Sequence, residues 1–363
     1  MRRTNDRFVQ ILTAGAVAVL LSPVVSAFTV ITVPVGGNPG ELAIIPQTGE
    51  LAVVNTGTND VSIVDPITYH VSTVHTGLMP AAIAVNRATG YVYVSNSWEK
   101  TVTAIYGYGE GKKRKTYAVG AGPGLVAVNS ATNRVYVVNN TDGTVTAIDE
   151  NSGTTTTIPV GTQPRGIAVN EVTNRIYVTN IWDATLTVID GSTATAIATI
   201  PVVAWAYDVV VNPVTNRIYV GSGEVSSVTV IDGVTHATVD LPGVWQPALL
   251  AVNTVTNTIY AAGAQAGGGM MVIDGATNAV TIVPTPLGSL GYAFLGAPKV
   301  NEATNTVYVV DASANTLLVL DGVSNGITSR TLDFMPCSVA VNASSSRVYV
   351  SHCSDSRISI LEQ

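Results

Sequence analysis

The sequence predicts an all-β fold, a β-propeller of four-stranded antiparallel blades, from three observations. The octapeptide TNRIYVTN at 173–180 returns as TNRIYVGS at 215–222 and as TNRVYVVN at 132–139. Each copy lies within four short β-branched runs separated by Asn, Thr, Asp and Gly, which indicates four strands joined by hairpins. A period slightly above forty residues with four strands per unit is typical of propeller blades.

Two recurring positions in the repeat predict the number of blades. The first is an asparagine, at Asn86, Asn129, Asn170, Asn212, Asn253, Asn301 and Asn342, with Pro46 in the first copy. The second is a tyrosine, at Tyr93, Tyr136, Tyr177, Tyr219, Tyr260, Tyr308 and Tyr349, with Ala52 in the first copy. Eight copies predict eight blades, or seven if the irregular sixth copy is not a blade. The tyrosines are expected in the core between sheets.

The two ends of the chain are predicted to close the ring. The last copy, at 338–361, supplies only three strands, and FTVITVPV at 28–35 has the pattern of a single fourth strand. Pairing these segments completes the final blade and hides the open edges that an unclosed ring would leave.

The N-terminus has the pattern of a secretory signal peptide. Arg2, Arg3 and Arg7 precede an apolar stretch at 11–21, and Val25-Ser26-Ala27 offers small residues for cleavage. We expect a signal peptide at 1–27 and a single propeller domain at 28–363, exported to a periplasm or the medium. A retained helical anchor is the alternative. No later apolar run reaches the roughly 18 residues of a membrane span, so none is expected after cleavage.

The charge of the chain argues against nucleic-acid binding. The net charge is −7, and only 11% of residues are charged, against about 25% in a typical soluble domain. Nucleic-acid binding requires a basic surface. The partner classes that remain are small molecules, glycans and proteins.

The repeated motifs TNR-(I/V)-YV and TV-(I/T)-VIDG resemble those of the YVTN-repeat β-propellers, which include YncE-like and lactonase-like exported proteins. The resemblance covers essentially all of the chain after residue 27 and implies the propeller fold. Such families contain binding proteins and enzymes, and the shared motifs belong to the scaffold, so the resemblance does not select a function.

The connections of a propeller alternate between two faces, and here the two sets differ. The strand 1–2 and 3–4 connections are uniform, and we call their side the uniform face. The strand 2–3 loops and the blade-to-blade connections vary between copies, and we call their side the varied face. The uniform set carries aspartates, all but the first directly before glycine, which are expected to form turns rather than bind metal: Asp149, Asp190, Asp232, Asp274 and Asp321.

All four tryptophans fall on the varied face. Varied loops on a regular scaffold commonly carry function, and an indole suits stacking on sugars, aromatic ligands or partner side chains. The alternative is that the tryptophans fill gaps between blades. The predicted ligand-binding residues are Trp98, Trp182, Trp205, Tyr207, Trp245, Glu99, Asp183 and Arg165.

Local catalytic signatures are missing: the sequence contains no G-x-S-x-G, H-E-x-x-H, P-loop or C-x-x-C-H motif. Whether the protein is an enzyme is therefore left open, with His352, Asp355, Arg357 and Asp208 as weak catalytic candidates. Only His352 of the four histidines is expected on the varied face, so no metal site and no cofactor is predicted. The slightly acidic rim leaves room for a divalent cation such as calcium.

Two cysteines, Cys337 and Cys353, flank the first two strands of the last copy. The predicted hairpin brings them to the same end, and an oxidising compartment permits a disulfide between them. A loop of this length adds about 3 kcal/mol in the chain-entropy description.

The leading prediction is an exported module that binds a ligand or protein through its tryptophan-bearing face. The first alternative is a lactonase-like or lyase-like enzyme with a polar site on that face. The second is a structural scaffold of the cell envelope.

Overall fold

The computed structural model describes residues 29–107, 111–263, 269–285 and 297–362. They form eight four-stranded antiparallel sheets, which confirms the prediction of eight blades over seven. The expected signal peptide and most of the loops AGAQAGGG and PLGSLGYAFLG of the sixth copy lie outside the described residues. Nowhere in the described residues does the chain form a helix with the length and hydropathy to cross a membrane.

The first four blades follow one another along the chain, each with its strands in sequential order. Blade 1 consists of β2 (Pro39–Ile44), β3 (Leu51–Asn55), β4 (Asp60–Val64) and β5 (Val71–His75). Blade 2 consists of β6 (Pro80–Val85), β7 (Val92–Asn96), β8 (Thr101–Tyr106) and β9 (Lys113–Ala118). Blade 3 consists of β10 (Pro123–Asn129), β11 (Arg134–Asn139), β12 (Thr144–Asp149) and β13 (Thr155–Pro159). Blade 4 consists of β14 (Pro164–Asn170), β15 (Arg175–Asn180), β16 (Thr185–Asp190) and β17 (Thr195–Pro201).

The next three blades repeat the same order. Blade 5 consists of β18 (Ala206–Asn212), β19 (Arg217–Ser222), β20 (Ser227–Asp232) and β21 (Thr238–Pro242). Blade 6 consists of β22 (Pro247–Asn253), β23 (Thr258–Gly263), β24 (Met270–Asp274) and β25 (Val280–Val283). Blade 7 consists of β26 (Lys299–Asn301), β27 (Thr306–Asp311), β28 (Thr316–Asp321) and β29 (Ile327–Thr331).

Blade 8 closes the ring with both ends of the chain. It consists of β30 (Pro336–Asn342), β31 (Arg347–His352), β32 (Arg357–Glu362) and β1 (Thr29–Pro34). Strand β1 pairs antiparallel with β32 along its whole length, from Thr29 opposite Glu362 to Pro34 opposite Arg357. The prediction of closure by the N-terminal strand is confirmed.

The first strands of the blades surround a central channel. Strands β14, β18 and β22 contact one another in succession, and β2 of blade 1 contacts β30 of blade 8. Each blade-to-blade connection enters its first strand from the varied face, so the residues that begin these strands lie at that end of the channel.

The hydrophobic core lies between neighbouring blades. Tyr177 of blade 4, for example, is buried against Ile218 and Val220 of blade 5. All seven repeat tyrosines are among the largest fully buried side chains, as the sequence predicts. Strands of this type are apolar on both faces because each blade packs between two others.

The recurring TNR motif has a structural cause on the uniform face. The Asn170 amide Nδ2 of blade 4 donates to the Asn216 Oδ1 of blade 5 at 2.8 Å. Asn216 has a φ of 51°, in the left-handed region that asparagine tolerates. The same bond joins Asn86 to Asn133, Asn129 to Asn174, Asn212 to Asn257 and Asn253 to Asn305. The repeated octapeptide therefore ties blades 2 to 7 together in succession.

The assignment of Pro46 to the asparagine position is wrong by one residue. The Ile45 N–H donates to the Glu50 carbonyl at 2.8 Å, as the Asn86 N–H donates to the Tyr91 carbonyl. Ile45 therefore holds the asparagine position in blade 1, and it has no amide to offer to blade 2.

The aspartates on the uniform face form turns, as predicted. The Asp190 Oδ1, for example, accepts hydrogen bonds from the Ser192 and Thr193 N–H groups. The Ser192 hydroxyl also donates to this oxygen, and it contributes most, ahead of the N–H groups, to holding the pKa of Asp190 below its usual value. Aspartates bonded in this way stabilise the hairpin turn.

Candidate functional site

A cavity of about 670 Å³ lies at the mouth of the channel on the varied face. Its wall is mostly alanine, leucine and isoleucine, and five larger polar or charged side chains interrupt it: Glu41, Arg165, Tyr207, Asp208 and Lys299. Ligand cavities commonly have volumes of about 300–1,000 Å³ and combine apolar walls with a few polar groups. The channel mouth is therefore the candidate site.

An irregularity at the start of the first strands places the two acids. The register shifts between Pro39 and Leu42 in blade 1 and between Ala206 and Asp208 in blade 5. Such bulges bend a strand and redirect its side chains. Glu41 and Asp208 precede the structurally equivalent residues Leu42 and Val209, so they occupy one position of the repeat. Blades 1 and 5 stand opposite each other in a ring of eight.

Each acid also bonds to the next blade. The Glu41 Oε2 accepts a hydrogen bond from the Ile83 N–H of blade 2 at 3.0 Å. The Asp208 Oδ2 accepts one from the Leu250 N–H of blade 6 at 3.0 Å, and its Oδ1 accepts one from the Val209 N–H at 2.8 Å. These bonds fix both carboxyl groups in the channel wall.

Burial raises the pKa of both carboxyl groups. For Glu41, the positive charge of Lys299 and the bond from Ile83 oppose this effect. For Asp208, the hydrogen bonds from Leu250 and Val209 oppose this effect most strongly, and the positive charge of Lys299 opposes it less. A carboxyl group with a raised pKa retains its proton to higher pH, so it can donate as well as accept. Groups of this kind are concentrated at functional sites.

Lys299 supplies a positive charge from blade 7, midway between blades 5 and 1. It begins β26 and lies opposite Tyr308 of the neighbouring strand. Its side chain lines the channel and acts electrostatically on both Glu41 and Asp208. Within the described residues no carboxylate lies close enough to its Nζ to form an ion pair, so the ammonium group is available to a ligand.

Arg165 and Tyr207 form a stacked pair beside Asp208. The Arg165 guanidinium lies 3.8 Å from the centre of the Tyr207 ring and also donates to the Tyr207 hydroxyl. They hold one repeat position in adjacent blades 4 and 5, which explains their contact. Cation–π stacking fixes the guanidinium plane and leaves other N–H groups free to bind.

The sequence predicted three residues of this group, Arg165, Tyr207 and Asp208. It missed Glu41 and placed Lys299 in the charged rim of the varied face without naming it as a binding residue. Glu41 could have been recognised as an acid at the repeat position where other first strands carry Gly166, Leu249 or Ser338. The first copy had lost its asparagine and tyrosine, and this concealed the alignment of Glu41 with Asp208.

The four tryptophans stand on the varied face outside the channel cavity. Their exposed fractions are 74% for Trp98, 68% for Trp182, 48% for Trp205 and 46% for Trp245. Side chains exposed to this extent do not fill gaps between blades. Trp182 also lines a separate cleft of about 510 Å³ between blades 3 and 4.

The acids that follow two of the tryptophans support their own loops. The Asp183 Oδ2 accepts a hydrogen bond from the Thr162 N–H at 2.6 Å. Glu99 holds the equivalent loop position in blade 2 and packs its carboxylate against Gly77. These contacts fix the loops from which Trp182 and Trp98 project.

The cluster of His352, Asp355 and Arg357 lies apart from Asp208. His352 is fully buried, with its Nε2 2.8 Å from the Ser359 Oγ and its Nδ1 3.1 Å from the Phe334 carbonyl oxygen. Burial lowers its pKa, so the imidazole is neutral. Arg357 pairs with Asp355 at 2.9 Å. None of the three lines the channel cavity.

The predicted disulfide between Cys337 and Cys353 is present, with Cα atoms 5.8 Å apart. It joins the start of β30 to the end of β31 on the varied face, and Cys337 lines the channel. Over the described ranges, no three His, Cys, Asp or Glu side chains are grouped to hold a metal ion. Calcium at the rim stays a prediction.

No family model matches the chain, and no curated protein matches it. The solved structures that are similar share its fold at low sequence identity. Virginiamycin B lyase from Staphylococcus aureus is 10% identical, with a TM-score of 0.60 over 93% of this chain and 100% of that one. A streptogramin B lyase is 11% identical, with a TM-score of 0.62 over 92% and 97%. Kuenenia stuttgartiensis hydrazine synthase is 15% identical, with a TM-score of 0.61 over 90% and 96%. At these identities the likeness shows the propeller fold alone.

Proposed function

We propose that the protein is an exported propeller that binds a small polar ligand at the channel mouth on its varied face. One observation carries the proposal: Glu41 and Asp208 line the channel from opposite blades, with Lys299 between them. Their carboxylate oxygens accept hydrogen bonds from the Ile83, Val209 and Leu250 N–H groups. Each carboxylate can accept further hydrogen bonds from a ligand in the channel.

The charges of the site restrict the ligand. Two acids, Glu41 and Asp208, face two cations, Arg165 and Lys299, so the site favours a neutral or zwitterionic molecule. Such a molecule must offer N–H or O–H donors to the carboxylates and an acceptor to Lys299. Buried polar groups reject analogues that leave them unpaired, so these four groups would give selectivity.

The exposed tryptophans provide further contact area around this mouth. In our proposal they bind the outer part of the ligand or a protein partner, because aromatic side chains dominate interface energetics. Export is supported by the disulfide, which forms in oxidising compartments. Cell fractionation tests it: the protein is expected outside the cytoplasm and shortened to begin near residue 28.

A thermal-shift screen tests the binding proposal. The purified protein is screened against sugars, sugar acids, lactones and amino acids, and each compound that raises Tm is titrated into D208N, K299M and D232N. Asp232 lies in the same blade as Asp208 but on the uniform face, so D232N is the matched control. Loss of the shift in D208N and K299M, with retention in D232N, is expected. A shift that survives in both channel variants would overturn the proposal.

A second candidate is a lyase-like or lactonase-like enzyme that uses the same cavity. The raised pKa values of Glu41 and Asp208 favour it, because a carboxyl group with a raised pKa can serve as a general acid when protonated and as a general base when ionised. Compounds that bind in the screen, and lactones in particular, would be assayed for turnover. If E41Q and D208N abolish turnover while W182A changes only KM, the protein is an enzyme. Binding without turnover leaves it a binding module, and a complete lack of ligands favours the scaffold.

A further inference from the structure

The cleft beside Trp182 is a second concave region on the varied face. It has a volume of about 510 Å³ and lies between blades 3 and 4. Its lining includes Asn140, Thr141, Asp142, Gln163 and the indole of Trp182. The proposed channel site does not use it.

This cleft and the channel mouth adjoin each other along one short segment. Gln163 lines the cleft, Arg165 lines the channel, and Pro164 between them begins β14. Extended residues rise about 3.3 Å each, so the two regions are separated by roughly 7 Å of backbone. A molecule of several rings could occupy both.

The chemistry of the cleft favours a sugar ring. The Trp182 indole forms one wall, and its loop is held by the bond from Thr162 to Asp183. The polar groups beside it are mainly uncharged, the amides of Asn140 and Gln163 and the hydroxyls of Thr141 and Thr162. A pyranose ring has an apolar C–H face that stacks on an indole and hydroxyl groups at its edge that pair with amides.

The charge of the cleft argues against an anionic ligand. Neither lysine nor arginine lines it, so an anionic group would have no partner. The cleft contains an acid, Asp142, whose Oδ2 accepts a hydrogen bond from the Ala121 N–H at 2.5 Å. Its Oδ1 is available to accept a hydrogen bond from a sugar hydroxyl.

We propose that the cleft is a sugar-binding subsite continuous with the channel site, and that the ligand is a neutral oligosaccharide of at least two rings, one stacked on Trp182. This assignment rests on the proposed function and gives its ligand a chemical class.

Calorimetric titration of neutral saccharides tests the subsite. The probes are maltotriose, cellotriose, laminaritriose and chitotriose, each compared with its monosaccharide. The variants are W182A and W182F, with V172A as a control, because Val172 is exposed in the same blade on the uniform face. We expect a trisaccharide to bind the wild type, W182A to weaken it about tenfold or more, and W182F to restore most of the affinity, because a phenyl ring also stacks. Monosaccharide binding should change little in W182A.

The other outcomes overturn either the subsite or its continuity with the channel. Equal affinity of the wild type and W182A, or no binding of any of the four trisaccharides, removes the sugar assignment. Loss of affinity in D208N and K299M but not in W182A would leave the channel proposal standing and reject the cleft. Loss in W182A alone would retain a sugar site at the cleft and reject its continuity with the channel.

Discussion

Glu41 and Asp208 occupy the same position of the repeat in opposite blades, and each accepts a hydrogen bond at 3.0 Å from the first strand of the following blade. Several other copies of the repeat carry a glycine, leucine or serine at this channel-lining position, so the two acids depart from the repeat pattern. Removing a carboxyl group from water costs free energy that hydrogen bonds only partly recover, and in our proposal Glu41 and Asp208 are there for a ligand rather than for stability. The predictions below follow from this pair and from its surroundings.

The Asp208 carboxyl group should make stability fall as pH rises. Burial raises its folded pKa above that of the unfolded chain, about 3.9, so above that pH the folded state binds more protons and the free energy of unfolding declines. D208N cannot ionise, so its Tm relative to the wild type should rise as pH increases from about 4. Scanning calorimetry at several pH values between 4 and neutrality measures the difference.

Asp232 provides a control of opposite sign. Hydrogen bonds from the Thr235 and Val234 N–H groups lower its folded pKa, so its stabilisation is present above about pH 4 and is lost as pH falls through the lowered value. The Tm of D232N relative to the wild type should therefore fall as pH rises. Parallel trends in D208N and D232N would show that Asp208 is not desolvated.

The disulfide should stabilise the blade that closes the ring. Cys337 and Cys353 are 16 residues apart, and a loop of this size is stabilised by about 3 kcal/mol in the chain-entropy description. The double variant C337S/C353S should unfold at a lower temperature than the oxidised wild type and become insensitive to dithiothreitol. An unchanged Tm in the double variant, or one that still responds to the reductant, would contradict this.

The asparagine bonds on the uniform face should hold blades together only where both partners exist. Asn170 is buried and bonds to Asn216 of the next blade, so N170A should lower the free energy of unfolding by about 1–3 kcal/mol. Asn342 holds the same position in blade 8, but among the described residues its side chain bonds only to Ser344 within its own turn. Urea denaturation of N170A and N342A compares them, and an equal loss in both would refute the role of the interblade bond.

Much of the fold was predictable because packing and turn chemistry repeat in every blade. The Tyr177 ring, the Asn170 amide and the left-handed Asn216 each have one structural task, so each recurs at a fixed spacing and indicates the blade. Pro46 was misplaced because blade 1 lacks both the amide and the tyrosine. The register of blade 1 could not be located by counting from the recurring asparagine and tyrosine, because blade 1 has neither.

The site was less predictable because it depends on which residues depart from the repeat. His352 was predicted on the varied face as a weak catalytic candidate, yet it is buried at the position where an asparagine ends the second strand of blades 1 to 4. Asn180 donates to Thr187 seven residues later, and His352 bonds to Ser359 at the same separation. Its imidazole therefore serves the blade interior. Glu41 lies far from Asp208 in sequence, and only the closed ring brings them to one channel.

A crystal structure with the strongest ligand from the thermal-shift screen tests the central claim most directly. We predict density for the ligand in the channel mouth, in contact with the Lys299 ammonium and with the carboxyl group of Glu41 or Asp208. Ligand density elsewhere on the surface, with only water between these three side chains, would contradict the account.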